Sequence, residues 1–102
     1  MNKIYSLLGL AAKSRNVVSG EFATEKAIKT GKASMVIVSG DASDNTVKKF
    51  SNMCDFYGVS MFQYGKKEEL GHAMGKGARS SAAILDEGFT KTLTKHLEVS
   101  EE

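Results

Sequence analysis

A run of four apolar residues, Met35-Val36-Ile37-Val38, constrains the fold more than any other segment of this chain. The run is mostly β-branched and does not alternate with polar residues, which is typical of a strand covered on both faces. Segments with helical periodicity precede and follow it. We therefore predict an α/β fold in which this strand is central, within a three-layer α/β/α sandwich that has a small sheet between helices.

Helical and strand patterns alternate along the rest of the chain. Five predicted helices have apolar faces made by Ile4, Leu7, Leu8, Ala11 and Ala12; by Phe22, Ala23, Ala27 and Ile28; by Val47, Phe50, Cys54 and Tyr57; by Leu70, Ala73 and Met74; and by Phe89, Leu93, His96 and Leu97. Further strands are predicted at Val17-Val18, which would be an edge strand, at Val59 to Tyr64 and at Ser81 to Leu85. Gly31 and Gly58 are expected to end helices, and Asp86-Glu87-Gly88 to form a turn.

The length and composition suit one globular domain. The chain has 102 residues, of which 41% are hydrophobic and 25% charged. We predict a single domain over residues 1–99 and a loose acidic tail over residues 100–102. The short apolar stretch near the N-terminus soon reaches Lys13 and Arg15, which argues against a signal peptide or a membrane span. With Cys54 as the lone cysteine, this predicts a cytoplasmic protein without disulfides.

The net charge of +2 is too small to identify a partner, but the charge is distributed unevenly. Residues 1–40 have a net charge of +4 and residues 66–82 a net charge of +2, whereas residues 83–102 sum to −3. If the two basic stretches fold together, they would concentrate positive potential on one surface.

Residues able to carry catalysis are few. Cys54 lies on the apolar face of a predicted helix, where a thiol usually fills the core. His72 and His96 have no partner at metal-ligand spacing, so we predict neither a metal nor a cofactor. Gly71 to Gly77 looks like a phosphate-binding P-loop, but it has three residues between its first two glycines, lacks the magnesium-binding hydroxyl and ends a helix instead of beginning one. We therefore predict that the protein is not an enzyme.

The start of the second helix suits an anionic partner. Ser19-Gly20-Glu21 begins a helix whose free N–H groups and positive dipole end can receive a phosphate, with Lys26 and Lys29 on the following turns. A structural explanation is also open, because an acidic residue such as Glu21 stabilises a helix start by itself.

A second basic feature is the glycine-rich loop Gly75 to Arg79. Its glycines allow close backbone approach, while Lys76 and Arg79 supply positive charge. Glycines at a helix end also act as ordinary caps, so the loop alone decides nothing. Together with Lys13 and Arg15, the two features suggest RNA binding, provided that residues 19–26 and 76–79 lie on the same side of the molecule.

A series of short phrases occurs along the chain in a specific order and spacing. They are Gly9 to Ser14, Val17 to Gly20, Gly31 to Ala33 leading into Met35 to Val38, Glu69 to Gly71, Gly75-Lys76 and Ala83 to Asp86. In this order they resemble the ribosomal-protein L7Ae/L30e family over nearly the whole chain, and most closely its short bacterial members of the YlxQ type. The resemblance implies an α/β/α sandwich around a four-stranded mixed sheet.

The resemblance also implies a function. Members of this family bind kink-turn RNA, an internal loop with tandem sheared G·A pairs, through the start of the second helix and the loop before the last strand. RNA is usually recognised where its stacking is interrupted. We therefore expect a non-enzymatic, monomeric protein that binds a bent or internally looped RNA, in the ribosome or another ribonucleoprotein. The expected contacts are Lys13, Arg15, Ser19, Gly20, Glu21, Phe22, Lys26, Lys29, Lys76, Gly77, Ala78, Arg79 and Ser80.

Two departures from the family pattern affect this expectation. The Asn-Glu pair that reads the sheared pairs falls here on Phe22 and Ala23, while Lys26 keeps the family's basic position. Phosphate contacts then remain, and these position a protein without reading sequence. Phe22 could stack on an unpaired base or fill the core, and its helical spacing favours the core. The contact loop is also one residue shorter than in the family, with Ala78 to Ser80 as the expected contacts.

An alternative function stays open at this point. The sandwich could present its third or fifth helix to a protein of the translation or transcription machinery, as a protein-interaction module.

Overall fold

The computed structural model describes residues 2–100, with the side chain of residue 100 left out. The described chain contains nine elements in alternation. They are α1 (Lys3–Lys13), β1 (Val17–Ser19), α2 (Glu21–Lys29), β2 (Met35–Val38), α3 (Asp44–Tyr57), β3 (Ser60–Gln63), α4 (Lys67–Ala73), β4 (Ser81–Ile84) and α5 (Glu87–Ser100). Within residues 2–100, no helix is both long enough and apolar enough to cross a membrane.

The strands form one mixed sheet in the order β1-β4-β2-β3. Strand β4 runs antiparallel to both β1 and β2, whereas β2 and β3 are parallel. Val17-Val18 indeed opens an edge strand, and Met35 to Val38 forms an interior one. The predicted sandwich around a four-stranded mixed sheet is confirmed.

The sheet separates two apolar cores. Met35 and Ile37 of β2 face α1, α4 and α5, where they join Leu8 and Leu93. Val36 and Val38 of β2 face α2 and α3, where Phe50 is the largest buried side chain. Because helices cover both faces, all four residues of β2 are fully buried. This double coverage explains why the strand has no polar side.

Two local predictions at helix ends were wrong. Residues 86–88 do not form a separate turn, because α5 begins at Glu87 and the Asp86 carboxylate accepts a hydrogen bond from the Phe89 N–H at 2.9 Å. This contact acts as a helix N-cap. Tyr57 was expected on the buried face of α3, but it is 43% exposed at the last residue before the left-handed cap Gly58. Of the predicted tail, residues 101–102 lie outside the described residues, and the domain and tail boundaries stay predictions.

The antiparallel pairing of β1 with β4 brings two distant segments together. The end of β1 leads into α2, and the start of β4 follows the loop after α4. The two lie side by side because Ser19 pairs with Ala82, and the Gly20 N–H donates to the Ser81 carbonyl at 2.9 Å. The start of α2 and the loop before β4 are therefore neighbours, as the RNA prediction required.

The loop between α4 and β4, residues 74–80, is anchored on α4. The Lys76 N–H donates to the Gly71 carbonyl at 2.8 Å, and the Arg79 N–H donates to the Lys67 carbonyl at 2.9 Å. A Cβ atom built on Gly71 would overlap the carbonyl of Gly77. Glycine at position 71 is thus needed for the loop backbone to pack directly against the helix.

We predict that Gly71→Ala lowers the free energy of unfolding by about 1–3 kcal/mol, the usual range for overpacking a close contact. This would reverse the ordinary gain of up to about 1 kcal/mol for Gly→Ala within a helix. Urea denaturation followed by circular dichroism measures the change. Gly77→Ala is the matched control, because a Cβ atom there meets only the Arg79 Nη1 at 3.9 Å. Equal stability of the two variants would contradict the packing argument.

Candidate functional site

The start of α2 has a glycine N-cap. Gly20 has φ of 97°, a backbone conformation that glycine adopts without strain, and it has no side chain to cap the helix. The first N–H groups of a helix have no partner within the helix itself, and they add to the positive end of its dipole. The start of α2 therefore presents hydrogen-bond donors and partial positive charge.

The side chain of Arg79 lies directly over this helix start. A Cβ atom placed on Gly20 would be 3.9 Å from both the Cδ and the Nε of Arg79. The Arg79 Nη1 also donates to the carbonyl of Ala78 at 3.0 Å. A guanidinium group and a helix N-terminus are both positive, so an anion between them would contact two favourable charges at once.

Two surface clefts meet at Arg79. The first, which we call the N-cap cleft, has a volume of about 540 Å³ and is lined by Ser19, Gly20, Glu21, Phe22, Ala23, Thr46, Ala78, Arg79, Ser80 and Ser81. The second, the loop cleft, has a volume of about 480 Å³ and is lined by Ala12, Arg15, Val17, Val18, Ser19, Met74, Gly75, Lys76 and Arg79. Ser19 and Arg79 belong to both, so the two clefts form one continuous surface.

A third cleft lies on the other side of Phe22. This Lys26 cleft has a volume of about 360 Å³ and is lined by Val18, Phe22, Ala23, Lys26, Ala27, Thr30, Lys32 and Leu85. It contains two lysines and no acidic residue. Positive charge thus continues from Arg79 past Phe22 to Lys26 and Lys32.

Most of the predicted site residues come together on this surface. The N-cap cleft contains Ser19, Gly20, Glu21, Phe22, Ala78, Arg79 and Ser80; the loop cleft adds Arg15 and Lys76; and the Lys26 cleft adds Lys26. Lys13, Lys29 and Gly77 line none of these three clefts. Gly77 is nevertheless adjacent to Arg79, whereas Lys29 is bound to Glu25 at 3.4 Å.

Arg15 reaches the loop cleft from an unusual backbone conformation. Its φ is 61°, and it is the one non-glycine residue with positive φ in the described part of the chain. Arg15 follows the C-cap of α1, a position where glycine normally takes the left-handed conformation. This left-handed conformation is unfavourable for a residue other than glycine, but it places a basic side chain in the loop cleft.

The acidic residues of α2 form ion pairs with a lysine of α3. The Lys49 Nζ lies 2.8 Å from a carboxylate oxygen of Glu21 and 2.7 Å from one of Glu25. The hydrogen bond from Lys49 is the main cause that lowers the pKa of Glu25, and the two glutamates raise the pKa of Lys49. Lys49 therefore offsets part of the negative charge beside the N-cap cleft. Within residues 2–100, by contrast, Arg15, Lys26, Lys76 and Arg79 form no salt bridge.

The expectation that Phe22 fills the core was wrong, because its side chain is 79% exposed. Helix α2 buries the stripe Thr24, Ala27 and Ile28. Phe22 precedes Thr24 by two residues, which is about 200° around a helix with 3.6 residues per turn. The ring therefore lies away from the sheet, at the wall shared by the N-cap and Lys26 clefts.

The candidate catalytic residues do not come together. Cys54 is buried between the sheet and the α2–α3 layer, where burial raises the pKa of its thiol to about 11. His72 is exposed on α4, which packs against the opposite face of the sheet. In the part of the chain that the structure describes, no three His, Cys, Asp or Glu side chains are grouped as a metal site would require.

Sequence reasoning missed several residues at or beside this surface, among them Thr46, Lys32 and Lys49. Thr46 lines the N-cap cleft, Lys32 lines the Lys26 cleft, and Lys49 forms an ion pair with Glu21. Lys32 follows Gly31 in a basic stretch of the sequence, and this position could have identified it as a candidate contact. Thr46 and Lys49 depend on how α3 packs beside α2, and no local pattern indicates that packing.

Comparisons with known proteins agree with this fold. The model of the ribosomal protein L7Ae/L30e/S12e/Gadd45 family matches residues 2–94. The chain is 39% identical over 94 residues to the RNA-binding protein YlxQ of Bacillus subtilis (strain 168), covering 92% of this chain and 94% of that protein. It is 33% identical over 89 residues to the large ribosomal subunit protein eL8 of Cenarchaeum symbiosum (strain A), covering 86% and 71%. The solved structure of a protein of unknown function from Bacillus halodurans C matches with a TM-score of 0.92 and 36% identity, covering 96% and 99%.

We predict that Lys49→Gln raises the pKa of Glu25 toward the ordinary glutamate value, because it removes the strongest of the hydrogen bonds that lower it. A carboxyl group whose pKa is lowered by folding stabilises the protein above its ordinary pKa, and this contribution is lost as the pH falls through the lowered value. The variant should lose part of this pH-dependent contribution, while the remaining Lys29 contact keeps the rest. Side-chain carboxyl NMR titration measures the pKa directly.

The matched control is Lys48→Gln. Lys48 is the exposed neighbour of Lys49 on α3 and forms no salt bridge within residues 2–100. The Glu25 titration should be unchanged in this variant. If Lys49→Gln and Lys48→Gln gave the same titration curve, the role of Lys49 at the helix start would be disproved.

Proposed function

Because this chain belongs to the ribosomal protein L7Ae/L30e/S12e/Gadd45 family, we propose that it is a non-enzymatic RNA-binding protein that docks on a bent or internally looped, kink-turn-like RNA. The observation that carries the proposal is the position of the Arg79 side chain over the uncapped start of α2, 3.9 Å from the Gly20 Cβ position. A phosphate at this point would accept hydrogen bonds from backbone N–H groups and pair with a guanidinium.

The charges around this point support a polynucleotide as the partner. Five basic side chains, Arg15, Lys26, Lys32, Lys76 and Arg79, line the three clefts and form no salt bridge in the described chain. Unpaired cations along a continuous surface are the electrostatic pattern of a phosphate-backbone contact. Glu21, which lines the N-cap cleft, forms an ion pair with Lys49 at 2.8 Å.

The division of the surface into two clefts fits a bent partner. The N-cap cleft and the loop cleft share Ser19 and Arg79, and the rest of their linings differ. A polynucleotide backbone that changes direction at Arg79 could contact both. Distorted and single-stranded regions are also the parts of RNA that proteins recognise most often.

The relatives support RNA binding as the general activity. The Bacillus subtilis relative is named an RNA-binding protein, and the archaeal relative is a protein of the large ribosomal subunit. This chain differs from the family pattern at Phe22 and Ala23, where it lacks polar groups for base edges. We therefore propose that phosphate contacts dominate its affinity and that its target differs from that of family members with the Asn-Glu pair.

The proposal also covers the oligomeric state and the cellular location of the protein. We propose that the protein acts as a monomer in the cytoplasm, within the ribosome or another ribonucleoprotein. No cofactor is needed for this activity.

A second candidate function is favoured by one observation on α3. Phe56 is 81% exposed and its ring contacts Tyr57 edge-on, with centroids 5.0 Å apart. Two adjacent exposed aromatic rings are a common feature of protein contacts. On this alternative, α3 would present them to a protein of the translation or transcription machinery, and the complex would survive nuclease treatment.

We predict that Arg79→Glu and Lys26→Glu each weaken binding to a kink-turn hairpin about ten-fold or more. A hydrogen bond to a charged group contributes about 1.5–3 kcal/mol, and 1.4 kcal/mol is a factor of ten in affinity. Gel-shift titration at fixed salt measures the dissociation constant. Lys91→Glu is the matched control, since this exposed residue of α5 lines none of the three clefts but changes the net charge equally.

Three results would count against the proposed site. One is unchanged affinity of both cleft variants. Another is an equal loss of affinity in Lys91→Glu, which would indicate only a general charge effect. The third is the absence of any binding by the unmodified protein, together with a protein partner that remains bound after nuclease treatment, which would favour the second function.

We also predict a salt-dependent complex. For single-stranded RNA, the slope of log affinity against log salt is about −0.7 per phosphate neutralised. Arg79→Gln should make the slope less negative by about that amount, because one phosphate contact is removed. Filter binding at salt concentrations from about 50 to about 200 mM measures the two slopes and tests the difference between them. An identical slope for the variant would exclude a phosphate contact at Arg79.

A further inference from the structure

Phe22 is an exposed aromatic ring between two clefts that each contain a basic side chain. It lies between the N-cap cleft, which contains Arg79, and the Lys26 cleft, which contains Lys26 and Lys32. We propose that Phe22 is a stacking platform for one unpaired RNA base and that it determines which RNA structures the protein prefers. This inference rests on the RNA-binding function proposed above and specifies how that same site reads its target.

Exposure alone does not identify a function for this ring. Single apolar side chains on a protein surface are common and need no explanation. Phe56 is 81% exposed, close to the 79% of Phe22, but it lines none of the three clefts. What distinguishes Phe22 is its position among cations at the start of a helix.

The surroundings of Phe22 match the chemistry of a nucleotide. A base is a flat aromatic surface that gains free energy by stacking on an aromatic side chain, and its flanking phosphates are anions. Arg79 lies in the cleft on one side of the ring and Lys26 in the cleft on the other. A nucleotide whose base stacks on Phe22 would therefore have a cation available for the backbone on either side.

The ring is well placed for this contact because of the geometry of α2. Phe22 is the second residue of the helix, in the same turn as the uncapped N–H groups. The buried stripe of α2 anchors the helix to the sheet, so the backbone that carries the ring is held in place. Because no side chain covers most of the ring, a base can reach it without displacing core residues.

Stacking on Phe22 would affect which RNAs the protein binds. Stacking on an aromatic ring is largely independent of base identity, but it requires a base that is not already stacked in a duplex. Phe22 would therefore select RNAs with an unpaired nucleotide beside the bound phosphates, with little preference for its sequence. A fully paired hairpin of equal length and charge should bind more weakly.

A tryptophan probe tests the contact directly. The chain has no tryptophan, so Phe22→Trp introduces a single indole at the proposed platform. We expect its fluorescence to be quenched when an internal-loop RNA hairpin with unpaired adenines binds. Phe56→Trp is the matched control, because Phe56 is equally exposed and lies ten residues beyond Thr46 of the N-cap cleft, about 15 Å along α3. Its fluorescence should not change.

Affinity measurements separate stacking from simple apolar contact. Phe22→Ala should weaken binding to the same hairpin roughly 5- to 100-fold, the range for losing one stacked base. Phe22→Tyr should retain most of the affinity, and Phe22→Leu should not. Replacing the stacked adenine by an abasic site should weaken binding of the unmodified protein and have no further effect on Phe22→Ala. Phe56→Ala should bind like the unmodified protein.

Failure of this inference differs from failure of the proposed function. If the hairpin binds with an affinity that depends on Arg79, but Phe22→Ala binds equally well and the indole at position 22 is not quenched, the platform is disproved and RNA binding stands. Equal affinity for the looped and fully paired hairpins would also disprove it. If neither hairpin binds at all, both proposals are wrong.

Discussion

The whole candidate site depends on the antiparallel pairing of β1 with β4. These strands are far apart in sequence, yet their register, with Ser19 opposite Ala82, brings the exit of one beside the entry of the other. The hydrogen bond from the Gly20 N–H to the Ser81 carbonyl extends this pairing to the N-cap residue of α2. Without it, the glycine N-cap and Arg79 would have no reason to be neighbours. The two apolar cores hold the sheet that maintains this register.

Some charged side chains of helix α2 form ion pairs, and others do not. Its carboxylates, Glu21 and Glu25, are bound by Lys49 of the adjacent helix. Lys26, on the same helix, forms no ion pair within residues 2–100. Acidic residues near an anion-binding surface would normally repel the ligand, and the contact with α3 reduces this repulsion. The positive character of the surface is thus a product of tertiary packing, since the net charge of the chain is only +2.

The sequence predicted the parts of the molecule that depend on local pattern. The continuous apolar run Met35 to Val38 indicated a strand covered on both faces, because such burial leaves no room for polar alternation. The orientation of Phe22 could not be predicted in this way, because at the first turn of a nine-residue helix a shift in the buried stripe changes which residues face the sheet. Lys49 was missed for another reason: its role exists only once α2 and α3 are packed together. Arg79 was correctly expected near Gly20, but that expectation came from the family resemblance and not from the pattern.

The close packing of Gly71 against the Gly77 carbonyl has a consequence for recognition. A loop with two glycines, Gly75 and Gly77, would ordinarily sample many conformations in solution, and ordering it would cost conformational entropy on association. Here the loop backbone is held against α4 by direct contact and by hydrogen bonds that include those from Lys76 to Gly71 and from Arg79 to Lys67. The candidate binding surface is therefore preorganised. The deformation needed for a fit would then have to come from the polynucleotide, so molecules that bend readily would be selected over rigid ones.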